Sequence, residues 1–188
     1  MNCKIPGLLA LAVIALAALP VVAQATTVTS PTGTTLTGEN QAESEGHIRI
    51  LNPIVKTECN IKVRGAINTH GEGVTVKGPV TEFAIALCTN SWHVTASALG
   101  YLEAHYSSGY DATITAGAGK VAATRFGVVC TYETNNTDMG LATGGNPTTM
   151  HINASIPIVA GESSPLCGKE TTKVEGSYQG TSSAYYDA

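Results

Sequence analysis

Apolar and polar residues alternate along most of this chain. Between 55 and 67, Val55, Thr57, Cys59, Ile61, Val63 and Ile67 share one parity, and Lys56, Glu58, Asn60, Lys62 and Arg64 share the other. A strand sends successive side chains to opposite faces, so the pattern predicts a strand with one dry and one wet face. A helix would scatter the same residues around its circumference. The cysteine in the middle of the dry face suits a covalent tie to an opposing layer.

The same period recurs down the chain. Residues 80–88 place Phe83, Ile85 and Leu87 on one face and Ala84, Ala86 and Cys88 on the other. Helix propensity competes there, but the length and the neighbours favour a strand. Further strands are predicted at 74–76, 92–98, 101–106, 112–116 and 171–179. Residues 121–132 read as a second long strand, with Phe126, Val128, Cys130 and Tyr132 inward. Residues 149–159 alternate with Met150, Ile152, Ala154, Ile156 and Ile158 inward. Breaks are expected at Gly78-Pro79, Ser107-Ser108-Gly109, Gly117-Ala118-Gly119, 135–138 and 144–147. Some nine short strands with turns every ten residues or so predict an all-β protein. We expect an antiparallel β-sandwich of the Ig-like or Greek-key type, or a related barrel.

The first residues bear on the compartment. Lys4 precedes an apolar run, 7–22, that is shorter than the about 20 residues of a comfortable membrane span. Ala23-Gln24-Ala25 then supplies small residues where a signal peptidase reads, so 1–25 is read as a cleaved secretory signal, Cys3 leaving with it. Residues 26–46 are expected to be a polar N-terminal arm or edge strand, with an acidic loop at 39–45, and 47–188 a single β-sandwich domain. The predicted location is secreted or periplasmic, in the cell envelope, with no transmembrane anchor after cleavage.

After removal of Lys4, nine basic residues face fourteen acidic ones, a net charge of −5. That balance is poorly suited to nucleic acid. A glycan, a lipid or a second copy of the chain is the class of partner left open. Four cysteines remain, Cys59, Cys88, Cys130 and Cys167, and an even count in an exported chain predicts two disulfides. Pairing of chain neighbours, Cys59 with Cys88 and Cys130 with Cys167, is favoured. Cys59–Cys130, in the immunoglobulin manner, is the main rival. Against it, Trp92 lies far beyond Cys59, and Tyr132 follows Cys130 where the immunoglobulin pattern has the tyrosine before the cysteine.

Candidate chemistry is sparse. His47, His70, His93, His105 and His151 form no His-x-His or His-x-x-x-His pair, and the cysteines lack a Cys-x-x-Cys pair, so no metal and no cofactor is expected. There is no Gly-x-Ser-x-Gly, and Gly117-Ala118-Gly119-Lys120 lacks the spacing of a phosphate loop. Trp92, Tyr101, Tyr106 and Tyr110 fall close together and are the one candidate ligand surface; core packing is the competing role. Asn135-Asn136-Thr137 and Asn153-Ala154-Ser155 match glycosylation acceptors.

The segment Cys59-Asn60-Ile61-Lys62-Val63-Arg64-Gly65 resembles the first cysteine strand of the bacterial PraB-like secreted proteins, named as activators of alkane oxidation. Val129-Cys130-Thr131-Tyr132, Thr143-Gly144-Gly145-Asn146-Pro147 and Leu166-Cys167 are similar to a group of small exported actinobacterial proteins. The resemblance implies an exported bacterial β-protein without a defined active site, and it assigns no functional residues. The expected function is non-enzymatic, in binding or structure. A fimbrial-type subunit or adhesin and a secreted hydrolase are the alternatives.

Overall fold

The computed structural model describes residues 26–30, 32–67, 75–108, 111–168 and 170–186. The expected signal peptide, His70 and Tyr110 lie outside them. The described residues form thirteen strands and three short 3-10 turns, with no α-helix. The strands are β1 (Thr26–Thr29), β2 (Gly38–Leu51), β3 (Lys56–Ile67), β4 (Thr75–Ala86), β5 (His93–Ala98), β6 (Tyr101–Ser108) and β7 (Asp111–Gly117). They continue with β8 (Lys120–Arg125), β9 (Val128–Glu133), β10 (Thr137–Thr143), β11 (Thr149–Pro157), β12 (Thr171–Gly180) and β13 (Ser183–Tyr186).

The fold is all-β, but the main sheet is not half of a sandwich. Eight strands close on themselves in the order β2-β3-β4-β6-β7-β10-β11-β12, and β12 pairs back onto β2. Every neighbouring pair is antiparallel, so the barrel is an up-and-down meander. Two excursions interrupt it, β5 between β4 and β6, and β8–β9 between β7 and β10. Both leave from one rim, and there they pair with each other as the three-stranded sheet β5-β8-β9. This small sheet is a lid over that end of the barrel. The opposite end carries the two-stranded ribbon β1-β13.

The organising strand lies close to its predicted place. In β3 the burial alternates strictly from Lys56 to Ile61. Ile48 faces Cys59, Ile50 faces Thr57 and Gly46 faces Ile61, so these residues share the inner wall. Val174 continues the layer on β12, opposite Ile50 and Ala154. Ile48, Ile50, Cys59, Ile61, Ala154, Ile156 and Val174 are buried in one core cluster, which also takes in Trp92, Val94, Cys130 and Tyr132 from the lid side.

Closure needs strands that bend. Gly46 marks one such place: a Cβ there would collide with the Ser177 carbonyl of β12. Only glycine lets the two backbones cross that closely. Register shifts near Arg64–Gly65 and Asp138–Gly140 add local twist of the kind that curls a sheet into a barrel.

Several boundaries differ from the sequence reading. Residues 39–45, expected as a loop, belong to β2, where Lys62 of β3 pairs with Glu43 and Glu45 at 2.5 and 3.0 Å. Gly78-Pro79 does not end a strand; β4 runs through it, and Pro79 sits beside the register shift, where the ladder asks least of its missing N–H. The long strand expected at 121–132 is a hairpin, β8–β9, turning at Phe126-Gly127. The polar turn expected at 135–138 already contains the start of β10, and β13 lies beyond the last strand predicted, 171–179.

Candidate functional site

Cys59 is bonded to Cys88, and Cys130 to Cys167, the pairing of chain neighbours. The first bond does not reach an opposing layer. It ties β3 to the segment just past its neighbour β4. The second ties the lid strand β9 to the connection between β11 and β12. Both staples therefore sit at the lid end.

Hydrogen bonds fix the lid further. Asn52, buried in the β2–β3 turn, accepts from the backbone N–H groups of Ile54 and Val55 at 2.9 and 2.6 Å. Its Nδ2 donates to the Tyr132 hydroxyl at 3.0 Å and to the Cys167 carbonyl at 3.4 Å. Ser163 Oγ bonds both the N–H and the carbonyl of Thr131, and Tyr132 bridges to Ile158. Burial pushes the Tyr132 phenol up to about 12.

Under the lid the barrel is not full. An eight-stranded barrel has an interior just wide enough for side chains to fill. Here several positions on the cavity walls carry small residues, among them Ala104, Ala116 and Ala142. Two cavities result. One, of about 140 Å³, lies between the lid and the lumen and is walled by residues such as Phe83, Ile85, Val94, Val121, Ile152 and Val174. The other, of about 160 Å³, lies toward the β1-β13 end against Val28, Val76, Ala104 and Ala142. Ser44, Val63, Val80, Leu102, Ile114 and Met150 line both, so the two adjoin along the barrel. Both walls are mainly hydrocarbon. Lys120 touches the first cavity at the lid margin, but its ammonium is held by Glu162 at 2.8 Å and Glu133 at 3.6 Å. Glu43 touches the second and is engaged by Lys62 and Arg64.

Of the aromatic residues singled out in the sequence, Trp92, Tyr101 and Tyr106 are described and take different roles. Trp92 is only 7% exposed and belongs to the core beneath the lid, with the Arg125 guanidinium 6.0 Å from its ring. Tyr101 lines the first cavity, lies across Gly117, takes Lys77 over its ring at 4.1 Å and donates to Asn136 at 2.5 Å. Tyr106 packs half-buried against Ala112. Among the described residues, no group of three His, Cys, Asp or Glu side chains is placed to hold a metal. His105 meets Thr75 at 3.0 Å and Glu103 at 3.4 Å, and His47 meets Asn60 at 2.9 Å. The residues that sequence reasoning missed are the inward ones with small side chains. Their signal was present as Ala and Gly on the dry parity, but a small residue reads equally as tight packing.

One more feature marks the lid rim. Leu87 and Phe126 are 80% and 86% exposed, and both hold positive φ, 53° and 49°. Large L-residues are strained there, and the exposed side chains gain nothing by burial.

These features define a class: a disulfide-linked, antiparallel eight-stranded β-barrel, lidded at one end, with an apolar lumen. No family model, no curated protein and no solved structure matches the chain.

Proposed function

We propose that the protein is a non-enzymatic binding protein of the secreted or periplasmic, cell-envelope space, and that its barrel holds a small apolar molecule. The observation that carries this reading is the pair of adjoining hydrocarbon-walled cavities enclosed by a closed sheet. An apolar cavity of such a size stays dry, and one of about 150 Å³ takes a benzene-sized guest. The wall binds by exclusion of water and shape, which suits holding a molecule more than converting it. Two disulfides support a location in an oxidising compartment. Fimbrial strand exchange requires a sheet with an open edge, and the main sheet here closes on itself.

Benzene is the probe. Saturating benzene is expected to raise the melting temperature of the wild-type protein by mass action, and Leu102→Trp, at a residue that lines both cavities, is expected to remove the shift. A wild-type melting temperature that benzene leaves in place would overturn the reading.

A further inference from the structure

The lumen is not hydrocarbon throughout. Tyr178 is 7% exposed and projects inward from β12, in register with Gly46 of β2 and Met150 of β11. Its ring lines the cavity under the lid. Ser44 is 6% exposed, points inward from β2 two positions from Gly46, and lines both cavities. Neither hydroxyl has a hydrogen-bond partner among the described residues. Arg125 Nε and the Thr172 and Ser183 hydroxyls are also buried without a partner, but none of these residues lines either cavity; other buried polar side chains are satisfied. Asn52 has four bonds, Thr57 donates to the Thr89 carbonyl, and Thr131 donates to the Glu162 carbonyl. Both oxygens open onto cavity space instead of being sealed among protein atoms, so two unpartnered hydroxyls on neighbouring strands offer hydrogen bonds to a ligand atom.

Building on the reading of the barrel as a carrier, we infer that its ligand is a neutral molecule with an apolar body and one oxygen function, a carbonyl or hydroxyl, bonded by Tyr178 with Ser44 beside it. The Tyr178 phenol is a donor throughout the ordinary pH range, because burial holds its pKa well above the usual tyrosine value. A carboxylate or ammonium is disfavoured. An ion in this lumen would have no free counter-charge, since Lys120 is already paired with Glu133 and Glu162 and Glu43 with Lys62 and Arg64. Size sets the scale: each cavity takes a body of about six carbon atoms.

The test pairs two probes with two proteins, so that differences in hydration between the probes cancel. Cyclohexanone and cyclohexane share a ring and differ by the carbonyl. Each is titrated into wild type and Tyr178→Phe by heteronuclear NMR. The expected result is a loss of about tenfold in cyclohexanone affinity for Tyr178→Phe, with cyclohexane affinity unchanged or raised. Equal changes for both probes, or none for either, overturn the assignment of Tyr178 and leave the carrier reading standing. Failure of both probes to bind the wild-type protein overturns the carrier reading itself. Ser44→Ala is run beside it; a selective loss for cyclohexanone in that variant supports the assignment and an unselective one counts against it, including where Tyr178→Phe does not fold.

Discussion

The Asn52 side chain donates to the Tyr132 hydroxyl across 3.0 Å, joining the β2–β3 turn of the barrel to the edge strand β9 of the lid. The two residues are 80 positions apart in the chain. Asn52 also organises its own turn through Ile54 and Val55. Replacement by leucine keeps the branching and the number of heavy atoms and removes every one of these bonds. Asn52→Leu should cost about 2–4 kcal/mol, because it strands buried donors and acceptors. Tyr132→Phe should cost only about 1 kcal/mol. Urea unfolding of both variants checks the order; a larger loss for Tyr132→Phe would contradict this account of the hub.

The two disulfides close loops with sequence separations of 29 and 37. In the chain-entropy model each contributes roughly 3.5–4 kcal/mol. Reduction should therefore lower the melting temperature sharply. Replacing Cys130 and Cys167 with alanine should also loosen the lid, because Cys167 holds the β11–β12 connection against β9. Tryptophan fluorescence reads this directly, since Trp92 lies beneath the lid: its emission should shift to the red more in Cys130→Ala/Cys167→Ala than in Cys59→Ala/Cys88→Ala.

Phe126 and Gly127 both hold positive φ, 49° and 79°, in a two-residue hairpin between Arg125 and Val128. That geometry favours Asn-Gly. Phe126→Asn should stabilise the fold by about 1 kcal/mol, by relieving the strain of a large residue in the left-handed region. A destabilised variant would mean that the stacking of Arg125 on Phe126, 4.8 Å from the ring centre, outweighs the backbone strain.

Stability should fall at both ends of the pH scale, for opposite reasons. The folded-state pKa of Tyr132 is raised to about 12, from about 10 in the unfolded chain. Its contribution is fully present below pH 10 and is lost as pH climbs from there toward 12. Tyr132→Phe should flatten that alkaline limb of a stability–pH curve. At the acid end, hydrogen bonds from Lys62 and Arg64 hold Glu43 below the usual carboxylate range. That contribution is present above the unfolded value of about 4.3 and disappears as pH falls through the folded one. Glu43→Gln should make the acid limb shallower.

Much of the wall was legible in the sequence. Strands β3 and β11 alternate so strictly that Cys59, Ile61, Ile152, Ala154 and Ile156 could be assigned inward from parity alone. What parity cannot convey is whether a sheet closes. That depends on backbone crossings such as Gly46 against Ser177, where a lone glycine in a polar stretch carries no distinguishing mark. The acidic run before it concealed β2 for a related reason: Glu43 and Glu45 are wet-face residues whose cations, Lys62 and Arg64, lie on β3. Phe126 was misleading because a large apolar residue on the dry parity ordinarily continues a strand. The lumen was illegible for want of volume bookkeeping: Ala104, Ala116 and Ala142 leave space only because the residues across the barrel do not fill it.

Both sulfur bridges fall at one end of the barrel; among the described residues the other end carries the ribbon β1-β13, four residues in each strand, and no disulfide. The molecule should therefore breathe asymmetrically. Amide protons of β1 and β13 ought to exchange with deuterated solvent well before those around Cys59 and Cys130.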